Sequence, residues 1–300
     1  MTAKELEQYL LQSLNMALGS MMQGETSYTN SFTCKVTEEG FYFLPRLPAG
    51  YIVDDDLYQK IFLIASAALY PKFTLLKQNS AYFVPMDTDD IHTQRALFFP
   101  WQQGISERLV ISDLDRFTSS LTNQQIPIMK QLTLNYQNIT SIAIAGNSGS
   151  GKSYMLTYLL SVLKPISELI IVDPKFDTPS RWARIHDITV IHPHQNRSKS
   201  DFLSEINENL SHCLQVIQQR QTILYDDPDY QFDHLTIVID EVLALAEGVN
   251  KTIKDAFFSL LSQIALLGRA TKVHLLLVSQ RFDHQTIPVS VREQLNVLIQ

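Results

Sequence analysis

The octapeptide Gly146-Asn147-Ser148-Gly149-Ser150-Gly151-Lys152-Ser153 restricts what this chain can fold into more than any other feature. It matches G-x-x-x-x-G-K-[ST] in full. The chain has ten glycines, and three of them fall within positions 146–151. Glycine lets the backbone curl and turn successive N–H groups inward, which makes a nest for an anion. Such a loop needs a strand leading in and a helix leading out, whose N-terminal dipole adds to the nest. The sequence supplies both. An apolar run at 142–145 precedes the loop, and Met155, Leu156, Leu159, Leu160 and Leu163 follow at helical spacing until Pro165 stops the helix. In this arrangement Lys152 reaches the β- and γ-phosphates of a nucleotide and Ser153 ligates Mg²⁺.

From residue 126 onward the pattern is that of an α/β domain. Continuous apolar runs at 142–145, 169–172, 188–191, 235–239 and 273–278 read as buried strands, and helical patterns at 154–163, 202–224 and 253–267 separate most of them. Alternating strand and helix implies a mainly parallel sheet covered on both faces. The stretch Leu235-Thr236-Ile237-Val238-Ile239-Asp240-Glu241 is a strand ending in two acids. A carboxylate at the carboxyl end of a central strand sits beside the phosphate loop. Asp240 is expected to hold Mg²⁺ through water and Glu241 to orient and polarise the attacking water. A third strand ends in Ser279-Gln280-Arg281, and Gln280 is placed to sense the γ-phosphate. These assignments call for ATP and Mg²⁺.

Residues 1–120 read as a small α+β domain, and 121–300 as the motor domain, with the polar stretch 119–125 as linker. Leu6, Leu10, Leu14, Ala17, Leu18 and Met21 lie on one helical face. Runs 31–37 and 41–44 read as strands around Glu38-Glu39-Gly40. Asp54-Asp55-Asp56 opens a helix that carries the apolar run 61–70. Runs 73–76 and 81–84 read as a second hairpin around Asn79-Ser80.

Composition narrows the function. Net charge is −7, and the segments either side of residue 130 are both acidic, so neither is a basic nucleic-acid-binding domain; contact with DNA needs local cations or a ring that gathers them. The two cysteines, Cys34 and Cys213, form no C-x-x-C pair, which fits a reducing cytosol. The N-terminus is no signal peptide. The apolar run 61–70 is about half the roughly 20 residues needed to span a bilayer. His192-Pro193-His194 reads as a surface loop, and Asp226, Asp227, Asp229 and Asp233 as an acidic solvated loop lacking the glycine and terminal Glu of a calcium site.

Four further stretches, with the three strand-end motifs, carry a resemblance. They are Ile171-Val172-Asp173-Pro174-Lys175, the helix ending Gln218-Gln219-Arg220, Leu266-Leu267-Gly268-Arg269-Ala270-Thr271-Lys272-Val273-His274-Leu275, and Ser279-Gln280-Arg281. Together they resemble the FtsK/SpoIIIE/HerA group of DNA-pumping ATPases, and most of all the FtsK-like translocases of conjugative elements. The resemblance covers about residues 126–300. It departs from the family pattern at Lys272, where Gly is usual, and at Phe282, where Pro is usual. It implies a RecA-like motor, ATP hydrolysis coupled to DNA translocation, a homo-hexameric ring, and a motor continuing past Gln300. Arg269 is implied to act in trans at a neighbour's γ-phosphate. The loops after Asp173 and Asp240, with Lys175, Arg181, Arg184, Lys251 and Lys254, are implied to face DNA. Many relatives carry membrane helices; here recruitment of a cytoplasmic chain to a membrane falls to a protein partner of the first domain. A packaging ATPase, an AAA+ helicase loader and a nucleotide-dependent protein switch are the alternatives on the same phosphate loop, and Glu241 counts against the switch.

Overall fold

A computed structural model describes residues 2–21, 31–78, 81–122, 124–282 and 287–300. The chain divides into two compact units, residues 1–108 with 129–131, and residues 109–128 with 132–300.

The first unit is α+β. It comprises α1 (Ala3–Met21), β1 (Phe32–Val36), β2 (Gly40–Pro45), α2 (Asp55–Leu69), β3 (Phe73–Leu75), β4 (Phe83–Pro85) and β5 (Arg95–Gln103). Helix α1 buries Leu6, Leu10, Leu14 and Leu18, the face read from its periodicity; the side chain of Met21 lies outside the described residues. Asp54 caps α2 by accepting the Leu57 N–H at 3.0 Å, and Asp55 and Asp56 complement the helix dipole. The β1–β2 hairpin is antiparallel as expected.

The second expected hairpin is not there. β3 and β4 each pair antiparallel with β5 rather than with one another, and Asn79-Ser80 lie outside the described residues. β5 also pairs β2, so it organises the sheet. The sequence reading gives no strand at 95–103, because Pro100 interrupts the run and proline is uncommon within a sheet. Aromatic packing fixes the strand nonetheless: Phe99 stacks on Phe41 at 4.7 Å and on Tyr58 at 4.5 Å, and Trp101 on Phe73 at 4.3 Å.

The second unit opens with α3 (Leu114–Ser119) and the paired strands β6 (Gln125–Met129) and β7 (Leu132–Asn135). Then come β8 (Ser141–Ala145), α4 (Lys152–Leu163), β9 (Ser167–Val172), α5 (Thr178–Ile185), β10 (Val190–Ile191) and α6 (Lys199–Asp226). They are followed by β11 (His234–Ile239), α7 (Val242–Ala246), α8 (Lys251–Thr271), β12 (Val273–Ser279), α9 (Val289–Arg292) and β13 (Val297–Ile299). The six strands form one parallel sheet in the order β10-β9-β11-β12-β8-β13.

Alternation along the central strands builds two cores. Leu235, Ile237 and Ile239 with Val273, Leu275 and Leu277 face α6 and α8, while Val238, Leu276 and Val278 face α4 and α5. Both faces are covered, so the strands read as unbroken apolar runs. This is the RecA-like P-loop architecture, a parallel sheet with helices on both sides. Among the described residues no helix is long and apolar enough to cross a membrane.

Candidate nucleotide site

The glycine-rich octapeptide joins β8 to α4 at the carboxyl end of the sheet. Gly149 and Gly151 hold φ of +80° and +97°, values that L side chains adopt only at a cost. At Gly146 a Cβ would lie 2.4 Å from the Ser150 hydroxyl oxygen, so that side chain would have to turn away. Lys152 folds back over its own loop, and its Nζ donates to the carbonyl oxygens of Gly146 (2.6 Å) and Asn147 (3.1 Å). That places a flexible ammonium at the mouth of the nest. Ser148 and Ser153 are exposed.

β11 delivers the acids. The Asp240 N–H donates to the Val172 carbonyl at 3.0 Å, which sets the tip of β11 beside the tip of β9. Asp240 is half-buried, and its carboxyl is pushed up to about 6, first by burial and then by the neighbouring Glu241 and Asp173 carboxylates, against the pull of Lys175. Glu241 is buried and takes a left-handed backbone, φ +47°. Its Oε1 accepts from Lys175 Nζ at 2.6 Å, and this bond is the main cause holding the Lys175 ammonium above its ordinary value.

Asp173, fully buried, pins the turn that brings Lys175 there. One of its oxygens accepts the Lys175 N–H at 3.0 Å; the other accepts the Asp177 N–H (2.8 Å), the Ser180 N–H (3.2 Å) and the Ser180 hydroxyl (2.6 Å). The Asp-Pro-Lys run is thus a structural pin followed by a lysine aimed at Glu241. Sequence reasoning noted that run for its resemblance alone and missed both roles. A buried Asp ending a strand, followed by a cation, was the available signal.

The carboxylates of Asp173, Asp240 and Glu241 outnumber the Lys175 ammonium, and that excess suits a divalent cation. Mg²⁺ takes oxygen ligands, keeps several waters and needs only one or two protein ligands beside phosphate oxygens. The Ser153 hydroxyl and the Asp240 carboxylate offer oxygens of that kind. Among the described residues no group of three acids, histidines or cysteines is placed to hold a metal ion.

β12 runs beside β8, with Ser279 opposite Ala145, so Gln280 emerges next to Gly146. A cavity of about 450 Å³ lies there, lined among others by Gly146, Asn147, Ser150, Gln280 and Phe282. The structure therefore brings Gln280 to the phosphate loop as expected. Arg269 lies elsewhere: it is exposed in the last turn of α8, which feeds the amino end of β12, the sheet end away from the loop. Within one chain it does not serve its own phosphate site. Two corrections concern the cations assigned to loops. Arg181 and Arg184 lie on α5, whose start Asp173 pins, and Lys251 and Lys254 on α8, which Asn250 caps by accepting the Thr252 N–H. Arg181 is paired with Asp177 at 2.6 Å.

No family model matches the chain. Over 179 residues it is 23% identical to the FtsK domain-containing protein YdcQ of Bacillus subtilis (strain 168), covering 57% of this chain and 36% of that protein. The resemblance to FtsK-type motors holds. The chain spans little more than a third of this curated relative's length. Among solved structures it is similar to the pCW3 conjugation coupling protein TcpA, in its monomer form with ATPγS. Identity is 15% and the TM-score 0.52, over 99% of this chain and 82% of that one. It is also similar to the cytoplasmic domain of the Thermomonospora curvata type VII secretion ATPase EccC, at 19% identity and TM-score 0.46, over 62% of this chain and 26% of that one. At such identities the TcpA likeness is one of fold. It reaches across both units.

Proposed function

We propose that this chain is an ATP-driven DNA translocase that works as a homo-hexameric ring in the transfer of conjugative or other mobile-element DNA. The observation that carries the reading is the placement of Lys152, after β8, and of Asp240 and Glu241, after β11, at the carboxyl end of one RecA-like sheet with only β12 between those strands, in a chain similar to an FtsK domain protein. The N–H groups of residues 147–153 and the Lys152 ammonium neutralise the β- and γ-phosphates of ATP. Ser153 and Asp240 would hold Mg²⁺, which would neutralise charge developing on the phosphate oxygens. Glu241, released from Lys175, accepts the proton of the attacking water. Gln280, beside Gly146, senses the γ-phosphate.

Arg269 completes a neighbour's site. A cation supplied across an interface is worth about 10³- to 10⁵-fold in other NTPases, and the place of Arg269 at the far end of its own sheet supports that route. The reading puts the chain in the cytoplasm, with the first unit docking a protein partner at the membrane. Mixing Arg269→Ala with Lys152→Ala subunits tests the shared site. Each variant alone is inactive, and mixed rings recover part of the activity, because some interfaces hold one intact Lys152 and one intact Arg269. Normal hydrolysis by Arg269→Ala alone would remove the ring-shared site.

A further inference from the structure

The turn that aims Lys175 inward at Glu241 turns the next residue outward. Phe176 is 60% exposed, and its backbone sits at φ +51°. A bulky aromatic side chain in the left-handed region is strained, and here the four hydrogen bonds to the buried Asp173 carboxylate hold it so. The Phe176 ring lies 4.0 Å from the His192 ring at 32°, and the His192 ring 4.9 Å from that of His194 at 51°. Burial does not account for this row. His194 is exposed and His192 only half-buried. The rings stand on the tips of two adjacent strands, β9 and β10, at the end of the sheet that bears the phosphate loop. Exposed cations flank them, Lys175 at 55% and Arg181 at 64% side-chain exposure.

We propose that Phe176, His192 and His194 form a stacking platform for unpaired nucleobases, so that the strand this motor grips is single-stranded DNA. The proposal rests on the DNA-translocase reading and names its substrate. Every base has a π-face, so stacking grips a strand without reading its sequence, as a motor requires. In a duplex those faces are occupied by neighbouring base pairs. Arg181 is the cation free to meet a phosphate of the stacked nucleotides, because its Asp177 partner, at 54% side-chain exposure, exchanges readily with phosphate.

Affinity of the full chain for three probes of equal length separates the possibilities: a single strand, its duplex, and an abasic single strand with the same phosphates. The single strand is expected to bind about tenfold tighter than the abasic strand, the amount one stacked base contributes. Phe176→Ala brings the single strand down to the abasic level and leaves abasic binding and basal ATP hydrolysis unchanged; Phe176→Trp restores the difference. Equal binding of single strand and abasic strand overturns the platform, as does duplex binding as tight as single strand. Loss of all three probes alike in Phe176→Ala overturns it too. Failure of wild-type chain to bind any of the three removes the DNA reading itself.

Discussion

At the scale of single residues, the carboxylate proposed as the catalytic base is engaged in the structure. Glu241 is bound to Lys175, and a carboxylate so paired is not available to take a proton from water. Replacing Lys175 by Met, which keeps the stem and removes the charge, frees Glu241. Basal ATP turnover is expected to rise several-fold in Lys175→Met, and any stimulation by DNA to shrink, since the restraint it would lift is already gone. Lys175→Arg keeps a cation and is expected to keep the restraint. Steady-state phosphate release from the purified chain reads both; an unchanged or reduced basal rate in Lys175→Met, with Lys175→Arg the same, argues that the pair only holds the loop together. The residues of the phosphate loop were legible because their chemistry is written locally, in glycine spacing and a lysine. The Lys175–Glu241 pair was not legible, because it joins positions on different strands whose neighbourhood exists only once β9 and β11 are side by side.

At the scale of elements, the departures from the family pattern have physical readings. Gly268 is required by close approach, since a Cβ there would lie 2.1 Å from the Val273 carbonyl oxygen where α8 turns into β12. Lys272 caps α8 in the left-handed conformation, φ +57°, where glycine is the comfortable residue. Its Nζ donates to the Gln137 side chain at 2.9 Å, an exposed bond of little worth. A left-handed non-glycine residue costs about 1–2 kcal/mol and glycine's extra unfolded freedom about 0.5–1 kcal/mol, so Lys272→Gly is expected to stabilise the second unit by about 1 kcal/mol. A urea-unfolding midpoint that stays put or falls contradicts the cap argument. Arg220, noted for its resemblance, clamps elements together: its guanidinium donates to the carbonyls of Asp233 (2.9 Å) and Thr271 (2.7 Å) and covers the Phe232 ring. The strands and long helices of this unit were legible from unbroken apolar runs and helical stripes. The short helices α5, α7 and α9 were not, because they are set by turns such as the one Asp173 pins, and β5 was hidden by Pro100.

At the scale of the molecule, the amino end of the parallel sheet holds a buried polar cluster. His234 Nδ1 and His274 Nε2 lie 2.7 Å apart, a 3.2 Å bond links His274 Nδ1 to the Thr140 carbonyl, and Tyr136 packs its ring against both. Burial pushes His234 down to about 4, helped by Lys272 and Arg220, and pushes His274 down to about 4, helped by His234. An unfolded imidazole titrates near 6.5, so between about 6.5 and 4 the unfolded chain binds more protons than the folded one. Stability from this pair is therefore complete above about pH 6.5 and is lost as pH falls toward 4, by up to about 1.4 kcal/mol per pH unit for each imidazole. Urea unfolding at pH 7 and pH 5 checks this against His274→Gln, which should flatten the slope; an equally steep loss in the variant places the acid sensitivity elsewhere. The central claim concerns the other end of the sheet, and ATP hydrolysis with Mg²⁺, measured without DNA, with a single strand and with a duplex, tests it most directly. The account predicts turnover that rises with DNA, disappears in Lys152→Ala and falls by about 10²-fold or more in Glu241→Gln while nucleotide still binds; turnover indifferent to every DNA, or untouched in Glu241→Gln, would contradict it.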